Sequence, residues 1–385
     1  MALQTNSILT THVGSLPRPE FLFELLIMED KNEEHDQDEL LRLTTAAVDS
    51  AVSQQVAADI SIVGDGEMSK SSYTHYVKHR LAGVATGQPS GPPPKPPQDQ
   101  GDHPDVGEGP GRGTARGLLA PVACEGTISY EDTGPVKRDI ANLAGAAEKV
   151  GVDPSNAFIN SAAPATLAHF IQDRHYENEE LFLSDLASAM RTEYEAILDA
   201  GFLLQIDCPD LAMIRHMNYQ DLADDEFIKI AERNVEALNH ATDGLPRDRM
   251  RMHVCWGNYP GPHTHDLPIA KLIPTLMKAN PQAILFEAAN PAHAHEWEDW
   301  QSANLNDDTI LIPGVIDTTT NLVETPRLIA QRLKVFANIV GKDRVIGGTD
   351  CGFGTVAGRE VVAQSVVWKK LANLAEGAAL ATSEN

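Results

Sequence analysis

Residues 181–207 read LFLSDLASAMRTEYEAILDAGFLLQID, and they carry the fold in miniature. Leu183, Leu186, Met190, Tyr194, Ile197 and Leu198 recur at the spacing of one helical face, and Gly201 closes it. The run Phe202–Ile206 follows at once. It is apolar and too short for a helix, so it reads as a buried strand. The same alternation extends in both directions. Strand-like runs lie at Ile8–Val13, Ile60–Val63, Pro121–Cys124, Ala157–Asn160, Met250–Cys255, Ala283–Phe286, Thr309–Val315 and Arg344–Gly348. A second helical face runs from Pro326 to Val340 and stops at Gly341. Repeated strand–helix units imply a parallel sheet with helices outside it.

Nine candidate strands are one too many for a (β/α)8 barrel. Pro121–Cys124 lies between two irregular stretches, so we assign it to half of a hairpin above the barrel. A doubly wound open sheet is the competing architecture, but no G-x-G-x-x-G turn follows the first strand. The expected fold is therefore α/β: a (β/α)8 TIM barrel forming a single domain over residues 1–385. One segment departs from it. Residues 87–113, GQPSGPPPKPPQDQGDHPDVGEGPGRG, are rich in Pro, Gly and acidic side chains and bury little apolar surface. They are expected to form a flexible surface insertion, with a lid over the site as the lesser alternative.

The formal net charge of -25 repels phosphate backbones and anionic lipid heads, which argues against nucleic-acid and membrane partners. No run of about 18 apolar residues suggests a transmembrane helix. Met1–Ser7 lacks a basic and an apolar region, so a cytoplasmic location is expected. Four scattered cysteines do not make a disulfide framework. Cys124 and Cys208 read as buried hydrophobes.

The chemistry gathers at strand ends. In RMHVCWGNY, His253 and Cys255 are two residues apart and project to the same face of a strand, at the rim where barrel active sites are built. In GGTDCGFGT, Cys351 follows the last strand among glycines that permit close approach. In AILFEAAN, Glu287 ends an apolar strand, where a carboxylate is costly unless paired or bound to a cation. An isolated H-x-C pair is a weak pattern. Together with Cys351, and with Glu287 as a further candidate, it makes a ligand set suited to Zn2+. His263, His265, His293 and His295 form two H-x-H pairs that read as solvated surface histidines.

Other strand ends are polar. Ser15 in TTHVGSLPRP could hold a carboxylate or amino group, or simply cap a loop. Asp65 and Glu67 in VGDGEMSKSSY could hold an ammonium group or polarise a substrate ring, and Asp207 in LLQIDCPDL could bind substrate. The alternatives are a solvated acidic turn and a helix cap, respectively. Asp317 ends the strand in LIPGVIDTTTN.

Taken in order, H-V-G-S-L-P-R-P, G-D-G-E, Q-I-D-x-P, H-x-C, F-E and D-C-G resemble the catalytic half of cobalamin-independent methionine synthase. Its relatives include stand-alone core enzymes and epoxyalkane:coenzyme M transferases. The resemblance runs from His12 to about Leu374, apart from the Pro-rich insert. It implies a catalytic Zn2+ held by His253, Cys255, Glu287 and Cys351, and an amino-acid thiol, homocysteine, held by Ser15, Glu67 and Asp207. The implied reaction is methyl transfer from 5-methyltetrahydrofolate to the thiol, giving methionine. Two departures stand out. The long N-terminal half of the full synthase, which helps bind folate, has no counterpart in these 385 residues. The family's Asp-x-His proton donor is Asp317-Thr318-Thr319 here, leaving Asp317 as the candidate acid. A tertiary amine leaves poorly without a proton, so addition of a zinc-bound thiolate to an epoxide is the alternative. A homo-oligomer is left open.

Overall fold

The computed structural model describes residues 7–86, 97–107, 119–358 and 360–383. Its framework is a curled parallel sheet with helices packed against it. Eight short strands follow the predicted runs: β1 (Leu9–Thr10), β2 (Val63–Gly64), β3 (Ala157–Ala162), β4 (Leu203–Asp207), β5 (Met250–His253), β6 (Ala283–Glu287), β7 (Ile310–Gly314) and β8 (Ile346–Gly347). The strands β7-β6-β5-β4-β3-β2 form one six-stranded parallel sheet, and β1 pairs with β8 in parallel. Backbone bonds continue from one group to the other. Ile62 N donates to Thr10 O at 2.9 Å, and Gly348 N donates to Pro313 O at 2.9 Å.

Alternation along the strands sorts the side chains. One face carries Val13, Ile62, Phe158, Leu203, Ala283, Leu285, Ile310, Ile312 and Ile346, a small apolar cluster enclosed by the curl. The intervening residues, among them Leu204, Ile206, Met250, Met252, Ile284 and Leu311, join the larger core beneath the helices. Continuing two residues at a time, the inner face of β4 passes from Leu203 through Gln205 to Asp207. That of β5 passes from Arg251 to His253, and that of β6 from Ala283 through Leu285 to Glu287. The apolar plug at one end thus gives way to ionisable groups at the carboxyl ends of the strands.

Local chemistry sets the helix bounds. Glu179–Asp199 begins where the Asn178 side chain accepts the Leu181 amide, with Glu179 and Glu180 favourably placed in its first turn. It ends before Gly201, whose φ of +93° suits glycine. Pro326–Val340 has Thr325 as its cap and Pro at its first position. Among the described residues no helix is long and apolar enough to cross a membrane.

The surplus run belongs elsewhere, as expected. Val122–Tyr130 pairs antiparallel with Leu81–Thr86, outside the six-stranded sheet. Of the Pro-rich segment, residues 97–107 are described and hold the short helix Gln98–Asp102; the rest lies outside the described residues.

Candidate metal centre

Three side chains converge at the carboxyl end of the sheet. His253 is the last residue of β5, and Cys255 follows two residues later on the same face. The backbone there is pinned on both sides: Cys208 N donates to His253 O and Val254 N to Leu285 O, both at 2.8 Å. Cys351 comes from the loop after β8. The next residue must be small, because a Cβ on Gly352 would lie 2.0 Å from Ser15 Oγ. The two sulfurs are 3.8 Å apart. One ligand atom from each of His253, Cys255 and Cys351 lies within 4.8 Å of the others, and all three residues are buried.

His253 shows why this is more than packing. Its Nδ1 faces Asp207 Oδ1 at 3.6 Å. Its Nε2 is buried without a hydrogen-bond partner. A buried imidazole nitrogen without a partner is costly in a closed core, and a free ring nitrogen is what a metal ligand needs. The donor set of two soft sulfurs and one imidazole therefore fits a thiophilic divalent ion. Burial pulls the His253 pKa down, but Asp207 and the neighbouring Cys255 outweigh it and the net direction is up. The Cys351 thiol and burial push the Cys255 thiol well up, so in the absence of a cation the proton stays on.

The other predicted residues surround this group without all joining it. Glu287 lies outside the three-residue cluster. Its Oε1 accepts the Trp256 amide at 2.9 Å and its Oε2 accepts Asn290 Nδ2 at 2.7 Å. Asp207 accepts from Gln205 Nε2 at 2.9 Å and from Asn160 Nδ2 at 3.1 Å. Glu67 is buried, sits at φ +56°, and has one carboxylate oxygen without a partner. Burial lifts its pKa to about 7, with Lys70 opposing and Asp207 adding to the rise. Ser15 packs beneath the Cys351 loop, where Phe353 N donates to its carbonyl at 2.8 Å. Asp317 is half-buried, and its Oδ1 accepts the Thr319 amide at 2.7 Å and hydroxyl at 2.8 Å. Cys124 and Cys208 are buried and free, as expected.

Several contributors were not singled out from sequence. Asp350 is fully inside and accepts the amides of Ala288, Ala289 and Asn290, each at 2.9 Å, so it ties the Cys351 loop to the Glu287 loop. Its place beside Cys351 in GGTDCG was the available signal. Tyr73 is half-buried; burial, with the carboxylates of Asp207 and Glu67 adding to it, holds its phenol well above the usual range. The reading of the H-x-H pairs needs correction. His295 is exposed, but His293 is buried and bonded to Glu296 at 2.8 Å and Asp266 at 3.0 Å. His263 bonds Asp266 at 2.8 Å and the Tyr259 carbonyl at 3.0 Å. The partner of both is Asp266, a residue that composition alone does not distinguish from a surface acid.

The described part of the insert docks on this same loop. Asp99 is fully buried and accepts the Tyr259 hydroxyl at 2.5 Å and the His263 amide at 3.0 Å. Asp102 pairs with His265 at 2.6 Å.

No protein-family model matches the chain. Among curated proteins it is similar to methionine synthase from Sulfurisphaera tokodaii, 23% identical over 382 residues, covering 97% of this chain and 93% of that one. Methionine synthase from Saccharolobus islandicus is 22% identical over 383 residues, covering 97% and 95%. Among solved structures, the B12-independent methionine synthase from Shewanella sp. W3-18-1, in complex with selenomethionine, shares the fold. Its TM-score is 0.71 at 20% identity, covering 97% of each chain. The resemblance carried by the six motifs thus extends over nearly the whole length.

Proposed function

We propose that the chain is a zinc-dependent thiol alkyltransferase that transfers a methyl group from 5-methyltetrahydrofolate to homocysteine, giving methionine. The methionine synthases it resembles support a methyltransferase. The observation that carries the metal reading is the buried trio of His253, Cys255 and Cys351, with His253 Nε2 unpartnered among the described atoms. In this reading the chain is a single domain over residues 1–385, with residues 87–113 inserted. The strands close into a (β/α)8 barrel, a closure supported by the backbone bonds between β1 and β2 and between β7 and β8. Four free cysteines accord with a cytoplasmic protein.

His253, Cys255 and Cys351 would hold the ion, with Glu287 or the substrate sulfur completing the set. When bound, Zn2+ lowers the pKa of a coordinated thiol, so that a thiolate is available at neutral pH. The chain's own residues do the rest. Glu67 and Asp207 present carboxylates close enough to influence each other, suited to one ammonium group between them. Ser15 and its neighbouring amides take the carboxylate end. Asp207 also faces His253 Nδ1 and orients the ring, leaving Nε2 as the free donor for the ion. Asp317 is the candidate acid for the leaving group. It shares its loop with Thr319 where the family has a histidine, and this favours a second reading: addition of the thiolate to an epoxide, whose ring strain lessens the need for an acid.

The test is metal content together with turnover of homocysteine against methyltetrahydrofolate, simpler methyl donors and a short epoxide. Stoichiometric zinc, with methionine formed from the folate, is the expected result. Thioether from the epoxide without methionine would favour the second reading. A protein that binds no zinc would overturn both.

A further inference from the structure

Cys255 and Cys351 follow β5 and β8, strands that no ladder joins. The sheet links them only through β6 and β7, so contacts above the strands also bear on their separation. Asn258 lies there. Its Nδ2 donates to the carbonyl of Gly352 at 2.7 Å, and its Oδ1 accepts the Thr318 hydroxyl at 3.0 Å. Gly352 directly follows Cys351, and Thr318 directly follows Asp317. One half-buried side chain thus spans the loops that carry Cys255, Cys351 and Asp317. Its orientation is dictated by its partners. A backbone carbonyl only accepts, so the amide nitrogen must face Gly352, which leaves Oδ1 to take the proton of the buried Thr318 hydroxyl. Gly257, with φ +116°, turns the chain so that residue 258 reaches across. Its own amide donates to Cys255 Sγ at 3.2 Å.

We propose that Asn258 is a positioning residue that fixes the spacing of Cys255 and Cys351 and thereby sets the affinity and geometry of the centre for a soft divalent ion. The inference rests on the metal reading above. It requires an amide at this position: an aspartate of the same shape would set a carboxylate oxygen against the Gly352 carbonyl.

The experiment measures Zn2+ affinity of the full chain by chelator competition, and the absorption spectrum of the Co2+-substituted protein, for wild type, Asn258→Asp, Asn258→Ala and Thr318→Val. Circular dichroism of the metal-free proteins checks folding. Asn258→Asp is expected to weaken Zn2+ binding roughly 10–100-fold, the range for groups that orient ligands, and to alter the sulfur-to-cobalt bands. Thr318→Val should weaken binding less and in the same direction. The double variant Asn258→Ala/Thr318→Val should bind no more weakly than Asn258→Ala alone, because the two act as one unit. A folded Asn258→Asp protein that matches wild type within about twofold and keeps its Co2+ spectrum overturns the inference. If Asn258→Asp does not fold, Thr318→Val decides, and unchanged affinity there overturns it as well. Wild-type protein that binds neither ion defeats the metal reading, and the inference falls with it.

Discussion

Asp207 and His253 are register partners on adjacent strands, with Asp207 Oδ1 3.6 Å from His253 Nδ1. That distance is longer than a hydrogen bond, so the carboxylate orients the ring electrostatically and keeps lone pairs for a substrate. Asp207→Asn should raise the KM for an amino-acid thiol by about tenfold or more, as expected when a buried ammonium loses a charged partner. Zn2+ affinity should fall less. Steady-state kinetics alongside chelator competition checks this. An unchanged KM would remove Asp207 from substrate binding.

Cys351 Sγ meets Cys255 Sγ, and His253 Nε2 meets no donor or acceptor. The sulfur pair is one weak contact between the loops, and His253 Nε2 adds none. Cys351→Ser and His253→Ala are therefore expected to abolish thiol alkylation and to lower zinc stoichiometry severalfold, while circular dichroism stays that of wild type. Retained zinc and activity in either variant would place the centre elsewhere.

Each nitrogen of His263 and His293 faces a group that only accepts: Asp266 and a carbonyl for the first, Asp266 and Glu296 for the second. Both rings are thus imidazolium ions sharing one carboxylate. Burial opposes the charge, but Asp266 outweighs it, raising His263 to about 9 and, with Glu296, His293 to about 11. Raised histidine values stabilise the fold fully below the unfolded pKa of roughly 6.5, and the gain is lost as pH rises through the folded values. The Tm of the wild type should fall between about pH 7 and 11, and that of Asp266→Asn should start lower and fall less. Parallel curves would show that the pair does not carry the slope.

Asp99 is the anchor by which the insert meets the rim. Asp99→Ala leaves the half-buried Tyr259 hydroxyl and His263 amide without their acceptor, at a cost of about 1 kcal/mol each. That cost falls locally on the docking of residues 97–107. Limited proteolysis should cut there in the variant well before it cuts wild type. Equal rates would mean that the insert is held by other contacts.

Much of this was legible in the residues. Strand runs such as Ala283–Phe286 and the helix Pro326–Val340 announced themselves through periodicity and end signals, because local steric and hydrophobic preferences set them. His253 and Cys255 were legible for the same reason: alternation on a strand fixes their common face. The docking of Asp99 on Tyr259 was not, since no local rule links residues 160 positions apart. Burial of His293 was hidden similarly, because its partner Asp266 lies on another loop. Glu287 was legible as a strand-end carboxylate, yet its hydrogen bonds to Trp256 and Asn290 depend on how three loops settle together.

Cys255 and Cys351 are buried, free of any disulfide, and stand 3.8 Å apart. A shift of less than about 2 Å in sulfur position separates this arrangement from a covalent S–S bond. The features that make the pair a good cradle for a cation therefore also make it vulnerable to oxidation whenever the cradle is empty. Protein handled in air without reductant would lose the cradle through cross-linking. Metal stoichiometry and turnover accordingly have to be measured on material kept reduced from the first step of purification.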